Sequence, residues 1–169
     1  GRALRTDRTD ELSYVARAIE KVAAHFSAPR PDGDTLGIIG FCGAPFTLAS
    51  YMIEGGSSRS YIETKKMMYT DSVAWPLLME KLVTVLVDFA QQQVDAGADV
   101  IQVFDSWAGA LSVTDYRQYC LAATTELVRR IQALGVPVIY FGVDNASLLS
   151  AMSETGADVI GLDWSIPLD

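Results

Sequence analysis

A five-residue segment occurs twice in this chain: Gly97-Ala98-Asp99-Val100-Ile101 returns as Gly156-Ala157-Asp158-Val159-Ile160. In each copy the glycine can take the left-handed conformation that ends a helix, and a β-branched apolar run begins two or three residues later. Gly135, ahead of Val136-Pro137-Val138, has the same layout. Three helix-to-strand connections of one short design imply strands that alternate with helices, and strands joined that way lie parallel. The expected strands are Thr35 to Phe41, Val100 to Asp105, Val136 to Phe141 and Val159 to Asp163. Apolar spacings of three and four predict a helix over residues 10–26, capped by Asp10, with Leu12, Val15, Ile19, Val22 and Phe26 on one face. Shorter helices are expected over 47–53, 61–69 and 146–154. A long helix over 73–96 should bury Leu78, Leu82, Val85, Leu86, Phe89 and Val94, with Pro76 in its first turn or at a kink. Thr114 should cap a helix reaching Leu134.

The regular connections favour a barrel of repeated β/α units over an open doubly wound sheet. A closed barrel of eight strands takes about 250 residues. Four strands in 169 residues therefore read as a partial (β/α)8 TIM barrel of four consecutive units, one domain over residues 1–169. The missing initiating Met, and a last strand followed by Pro167 with no covering helix, point to a piece of something longer.

Composition narrows the function. A chain that is 50% hydrophobic and 20% charged is globular. It holds no run of about 18 apolar residues that would span a membrane and no visible signal peptide. Two cysteines and one histidine make neither a disulfide framework nor a standard zinc cluster. The net charge of −8 argues against a nucleic-acid surface. Residues 1–81 carry ten basic and ten acidic side chains, whereas 82–169 carry three and eleven. Most of that excess reads as solvated helix faces. Asp105, Asp144 and Asp163 are the exceptions, because each closes or follows an apolar run.

In parallel α/β folds chemistry collects at the carboxyl ends of strands. There the sequence places Phe41-Cys42-Gly43-Ala44-Pro45, Phe104-Asp105-Ser106-Trp107-Ala108-Gly109, Phe141-Gly142-Val143-Asp144-Asn145 and Leu162-Asp163-Trp164. Each end pairs an apolar residue with small or polar ones, a pattern that suits a pocket and also suits ordinary turns. His25 reads as a surface residue, and Cys42 as a small buried one, since no second histidine exists to activate it. Gly55-Gly56-Ser57-Ser58-Arg59 could cradle an anion or act as a hinged lid, but lacks the Lys-Ser/Thr pair of a P-loop. Tyr51 stands at the entrance to that loop.

The stretch Gly40-Phe41-Cys42-Gly43-Ala44-Pro45-Phe46-Thr47-Leu48-Ala49-Ser50-Tyr51-Met52-Ile53-Glu54-Gly55-Gly56 resembles the signature of the uroporphyrinogen decarboxylase family. So do Lys65 to Tyr69, Phe104 to Gly109, and Gly161-Leu162-Asp163-Trp164. The resemblance runs from about Glu11 onward. It implies a single-domain (β/α)8 barrel, a cytoplasmic homodimer without metal or organic cofactor, and a small-molecule substrate. The implied reaction removes carbon dioxide from the four acetate side chains of uroporphyrinogen III to give coproporphyrinogen III in haem biosynthesis. Carried over by position, Tyr51 and Ser106 bind substrate side chains, and Phe41 and Phe104 form apolar walls.

This sequence also departs from the family pattern. The arginine-rich N-terminal motif and the catalytic aspartate of the family have no counterpart upstream here, and its substrate-binding histidine would follow Asp169. No catalytic residue is therefore assigned, and the isolated chain is expected to be inactive. Cys42 and Phe46 replace the commoner Ala and Trp, and Val143-Asp144-Asn145 replaces a glycine-rich turn. The related cobalamin-dependent methyltransferases would need a His-x-Cys pair where Phe141-Gly142-Val143 stands. A non-catalytic α/β interaction module would need its open sheet edges covered by a partner.

Overall fold

The computed structural model describes residues 9–26, 36–56 and 58–167. Thr35, the expected start of the first strand, lies outside them. A 3-10 turn over Thr9–Leu12 leads into helix α1 (Ser13–Phe26). Strand β1 (Ile39–Gly43) precedes α2 (Pro45–Glu54), α3 (Ile62–Thr70) and the long α4 (Ala74–Asp95). Next come β2 (Val100–Asp105), α5 (Val113–Tyr119), α6 (Leu121–Gln132), β3 (Val138–Gly142), α7 (Leu149–Ser153) and β4 (Val159–Gly161).

The four strands form one parallel sheet in the order β1-β2-β3-β4. A doubly wound sheet reverses its strand order at a switch point. Here the spatial order follows the chain without reversal, which is the arrangement of consecutive barrel units.

The connections work as the repeat implies, and the repeat does more. Gly97, Gly135 and Gly156 all have positive φ, of 103°, 89° and 77°. At the end of α4, Gly97 N–H donates to Val94 O and Ala98 N–H to Gln93 O, which closes the last turn. The aspartate two residues after the glycine then grips the neighbouring strand twice. Asp99 donates its N–H to Ile38 O at 2.9 Å and accepts Ile38 N–H on Oδ2 at 2.7 Å. Asp158 does the same to Val138, at 3.0 and 2.8 Å. At the third connection the equivalent residue is Pro137, which has neither group to offer; its carbonyl accepts Ile101 N–H at 3.1 Å.

Side chains alternate across the sheet. Cys42, Ile101, Val103, Val138 and Tyr140 are buried against the helices, together with Leu82, Leu86, Leu127 and Ile131. Gly40 belongs to that face, where an added Cβ would lie 2.6 Å from Ile101 Cδ1 and 3.1 Å from Ala98 Cβ. Ile39, Phe41, Gln102, Phe104, Ile139 and Phe141 lie on the opposite face, and Phe41 is 48% exposed. At the β1 edge the buried Gln93 of α4 accepts Phe41 N–H on Oε1 and donates from Nε2 to Phe41 O, at 2.9 and 2.8 Å.

Several expectations are corrected. The first strand lies two to four residues later than predicted, because Gly40 and Gly43 are rungs of the ladder rather than its end. The long helix turns Trp75, Met79, Leu82, Val83, Leu86 and Ala90 inward, while Leu78, Phe89 and Val94 are only partly buried. Val22 and Phe26 of α1 are exposed, and Ile19 alone is buried there. Ser112, not Thr114, caps the helix after β2, its hydroxyl accepting Asp115 N–H, and that helix breaks at Cys120. The fourth strand stops at Gly161, since Asp163 is engaged with the preceding loop.

The Asp158 carboxyl is held below its ordinary value of 3.8, by the Gln132 side-chain amide first and the Val138 N–H second. A folded-state value below the unfolded one means stability that is complete above about pH 3.8 and lost as pH falls through the folded value. Asp158→Ala should therefore lower Tm at neutral pH, with the gap to wild type closing well below pH 3.8. Thermal unfolding at the two pH values checks this; an equal gap at both would remove the ionic contribution.

Candidate functional site

The carboxyl end of β2 is built around a polar network on the helix side. Asp105 is fully buried. Its Oδ1 accepts the Thr47 hydroxyl at 2.7 Å and its Oδ2 accepts the Tyr140 hydroxyl at 2.6 Å. Tyr116 and Tyr140 share a further hydroxyl contact of 2.8 Å. With Tyr140 donating to the carboxylate, Tyr116 must donate to Tyr140. Burial pushes the Asp105 carboxyl up, and the Tyr140 and Thr47 donors oppose that. Burial also raises the Tyr116 and Tyr140 phenols, with the nearby Asp105 charge adding to the effect. Thr47 has a second role, accepting Trp107 N–H on Oγ1 at 3.3 Å. One buried carboxylate thus ties the first turn of α2 to β3, α5 and the turn after β2.

That turn presents Ser106 and Trp107 on the other side. A cavity of about 360 Å³ is lined by Ser58, Arg59, Tyr61, Ser106, Trp107, Gly109, Ala110, Val143 and Asp144. Its wall depends on Gly109, where an added Cβ would lie 2.5 Å from Val143 O and 2.6 Å from Asp144 O. An aromatic run braces the other wall. Tyr51 meets Trp107 at 5.8 Å between ring centroids, Trp107 meets Tyr61 at 5.7 Å, and Tyr61 meets Phe46 at 6.5 Å. Tyr61 adopts a left-handed backbone, φ 52°, while its ring is buried. Such a conformation is costly for a bulky residue and persists where packing over-determines it.

Ser106 lines the cavity. Tyr51, half exposed near the end of α2, stands beside it against Trp107. Phe41 and Phe104 are on the open sheet face. Phe104 lies edge-on to Phe141 at 5.8 Å, and Phe41 turns to Phe89 at 6.2 Å. Asp144 lines the cavity with φ 53°, its N–H held by Asp163 Oδ2 at 2.6 Å. Asp163 also accepts the Ser165 N–H and hydroxyl, and the Ser165 contacts lead in holding its carboxyl low. Asp105, a strand-end candidate by sequence, points away from the open face.

Cys42 is buried on the helix side, and burial pushes its thiol up to about 12, so it is no nucleophile. His25 is exposed at the end of α1. The cavity roles of Tyr61 and Trp107, and the Thr47–Asp105–Tyr140 network, were not read from the sequence. Alternation was the available signal for Asp105, since Ile101, Val103 and Asp105 share one face.

Residues 2–169 match the family model described as uroporphyrinogen decarboxylase. The chain is 61% identical over 167 residues to a uroporphyrinogen decarboxylase of Koribacter versatilis, covering 98% of this chain and 46% of that protein. It is 47% identical over 167 residues to one of Solibacter usitatus, covering 99% and 47%. Against one of Streptomyces avermitilis the identity is 44% over 166 residues, covering 98% and 45%. The chain spans about half the length of the curated relatives it matches.

Thr47→Val keeps the shape of the side chain and removes both contacts of its hydroxyl. Asp105 loses a donor and Trp107 N–H an acceptor, at a cost of about 1–3 kcal/mol for a buried network of this kind. Urea unfolding of wild type and variant should show the loss as a lower midpoint with unchanged slope; an unchanged midpoint would mean that the network is not stabilising.

Proposed function

The chain belongs to the uroporphyrinogen decarboxylase family, and from that premise we propose that the full-length protein decarboxylates the four acetate side chains of uroporphyrinogen III to give coproporphyrinogen III. The observation that carries the reading is the 61% identity to a protein of that name across 98% of this chain. In this reading residues 1–169 are one segment of a single barrel domain, the reaction needs no metal or organic cofactor, and the whole protein is a cytoplasmic homodimer.

In this reading the bond between an acetate methylene and its carboxyl breaks, carbon dioxide leaves, and the electron pair flows into a pyrrole ring already protonated on carbon. The methylene then takes a proton and becomes a methyl group, while the ring carbon gives up the proton it had gained, so that each cycle consumes one proton and returns a neutral pyrrole. An aspartate that receives the pyrrole N–H groups stabilises the cationic ring before the bond breaks. In this reading that residue lies upstream of this chain.

The residues here serve binding. Tyr51 and Ser106 offer hydroxyls to substrate side chains, a role supported by Ser106 lining the strand-end cavity and by Tyr51 packing against Trp107. Phe41 and Phe104 offer apolar walls to the pyrroles, in keeping with their place on the open sheet face. Asp105 supports the turn that carries Ser106 and takes no part in binding, since it is fully buried on the helix side and held by Thr47 and Tyr140.

Incubating the full-length protein anaerobically with uroporphyrinogen III, then oxidising and separating the porphyrins, tests the reading; absence of the four-carboxylate product overturns it. Tyr51→Phe and Ser106→Ala should each reduce kcat/KM by about tenfold, the scale of one hydrogen bond to a charged group. Wild-type kinetics in both variants would remove these residues from the site.

A further inference from the structure

The cavity at the strand ends raises an electrostatic question, because the chain is acidic and the proposed substrate carries eight carboxylates. Lys65 lies close by but is committed, its Nζ donating to Ala110 O at 2.7 Å. Arg117 and Arg129 are paired with Glu154 and Glu126. Among the described residues lining the cavity, Arg59 is the one Lys or Arg and Asp144 the one carboxylate.

The residues described on either side of Arg59 are held by hydrogen bonds. Glu54, the last residue of α2, accepts the Thr64 N–H and hydroxyl on Oε1 at 3.0 and 2.9 Å. These bonds, the Thr64 N–H first, hold its carboxyl low. Ser58 Oγ accepts Tyr61 N–H at 3.0 Å. The Tyr61 ring is buried between Phe46 and Trp107, and its strained backbone is the consequence. Arg59 therefore stands between two anchors, Ser58 and Tyr61, that themselves line the cavity. Arg59 is thus an exposed cation in the wall of the same cavity as the Ser106 turn.

We infer that Arg59 is a substrate-binding residue that receives a peripheral carboxylate of the substrate beside Ser106, opposed by Asp144. The inference rests on the proposed function for the identity of the substrate. The formal charge of the cavity lining follows residue 59: zero with Arg, −1 with Ala, −2 with Glu. Removing the opposing charge by Asp144→Asn raises it to +1, and Asn tolerates the left-handed backbone found there. The two positions must then shift binding in opposite directions. An exposed charge contact is modest in water, so the effects are modest and depend on salt.

The test uses the full-length protein with uroporphyrinogen III at low ionic strength, with Tm confirming that each variant folds. Arg59→Ala should raise KM about three- to fivefold and Arg59→Glu about tenfold or more, with kcat within about twofold of wild type. Arg59→Lys should restore most of the wild-type KM, Asp144→Asn should lower KM, and added salt should shrink all the differences. An unchanged KM in both Arg59→Ala and Arg59→Glu overturns the inference, as does a defect that Arg59→Lys fails to restore. Equilibrium binding of uroporphyrin III, read by porphyrin fluorescence anisotropy, separates the two readings. If the wild type shows no turnover, the proposed function falls, while uroporphyrin III binding that weakens in Arg59→Ala still supports the arginine. Equal binding by the two proteins, or binding by neither, overturns it.

Discussion

The two-point grip of Asp99 on Ile38 and of Asp158 on Val138 is the constraint on which the rest of the molecule depends. Each aspartate immediately precedes its own strand and, by the same stroke, pins the residue at or just before the start of the strand beside it. A carboxylate that accepts a backbone N–H tolerates little slippage, and a slip of one residue would turn every side chain of a strand to the wrong face. The grips lie at the amino ends of the strands, opposite the end where the cavity opens. This is the division expected of barrel units, with stability at one end and chemistry at the other.

Once register is fixed, three consecutive residues take three different duties. Phe104 faces the open side of the sheet, Asp105 the helices, and Ser106 begins the turn that lines the cavity. The turn is held from beneath, since Asp105 binds Thr47 and Thr47 binds Trp107 N–H. From above it is held by rings, with Trp107 between Tyr51 and Tyr61. Packing also requires Gly109, because the loop after β3 passes too close to admit a side chain there. A polar support on one side and an aromatic brace on the other keep the serine in place without using it.

The glycine-led repeat was enough to reveal parallel strands, their order of magnitude in length and the barrel-like preference, because left-handed turns and β-branched runs are local properties. It did not reveal the grip of the aspartates, which is a contact between elements some 60 and 20 residues apart in sequence. Strand ends were less legible where glycine sits inside a ladder: Gly40 and Gly43 look like terminators and are rungs that let α4 and α2 approach. Asp105 read as a site residue because it ends an apolar strand, and only the parity of Ile101, Val103 and Asp105 told against that. Tyr51, Ser106, Phe41 and Phe104 were legible through a family resemblance. The cavity that joins Ser106 to Arg59 needed the fold of α3 back over the turn after β2.

Gln93 carries a consequence for the growth of the sheet. Its side-chain amide offers Phe41 one acceptor and one donor, the same pair that a neighbouring strand would offer. In β1 the groups of Ile39, Phe41 and Gly43 point away from β2, and the middle one of the three is already occupied. A strand added beyond β1, from this chain or another, can dock only above and below that point or must displace a buried amide that also donates to Phe89 O. The β1 edge is thus a ladder whose centre rung is supplied by a side chain of α4.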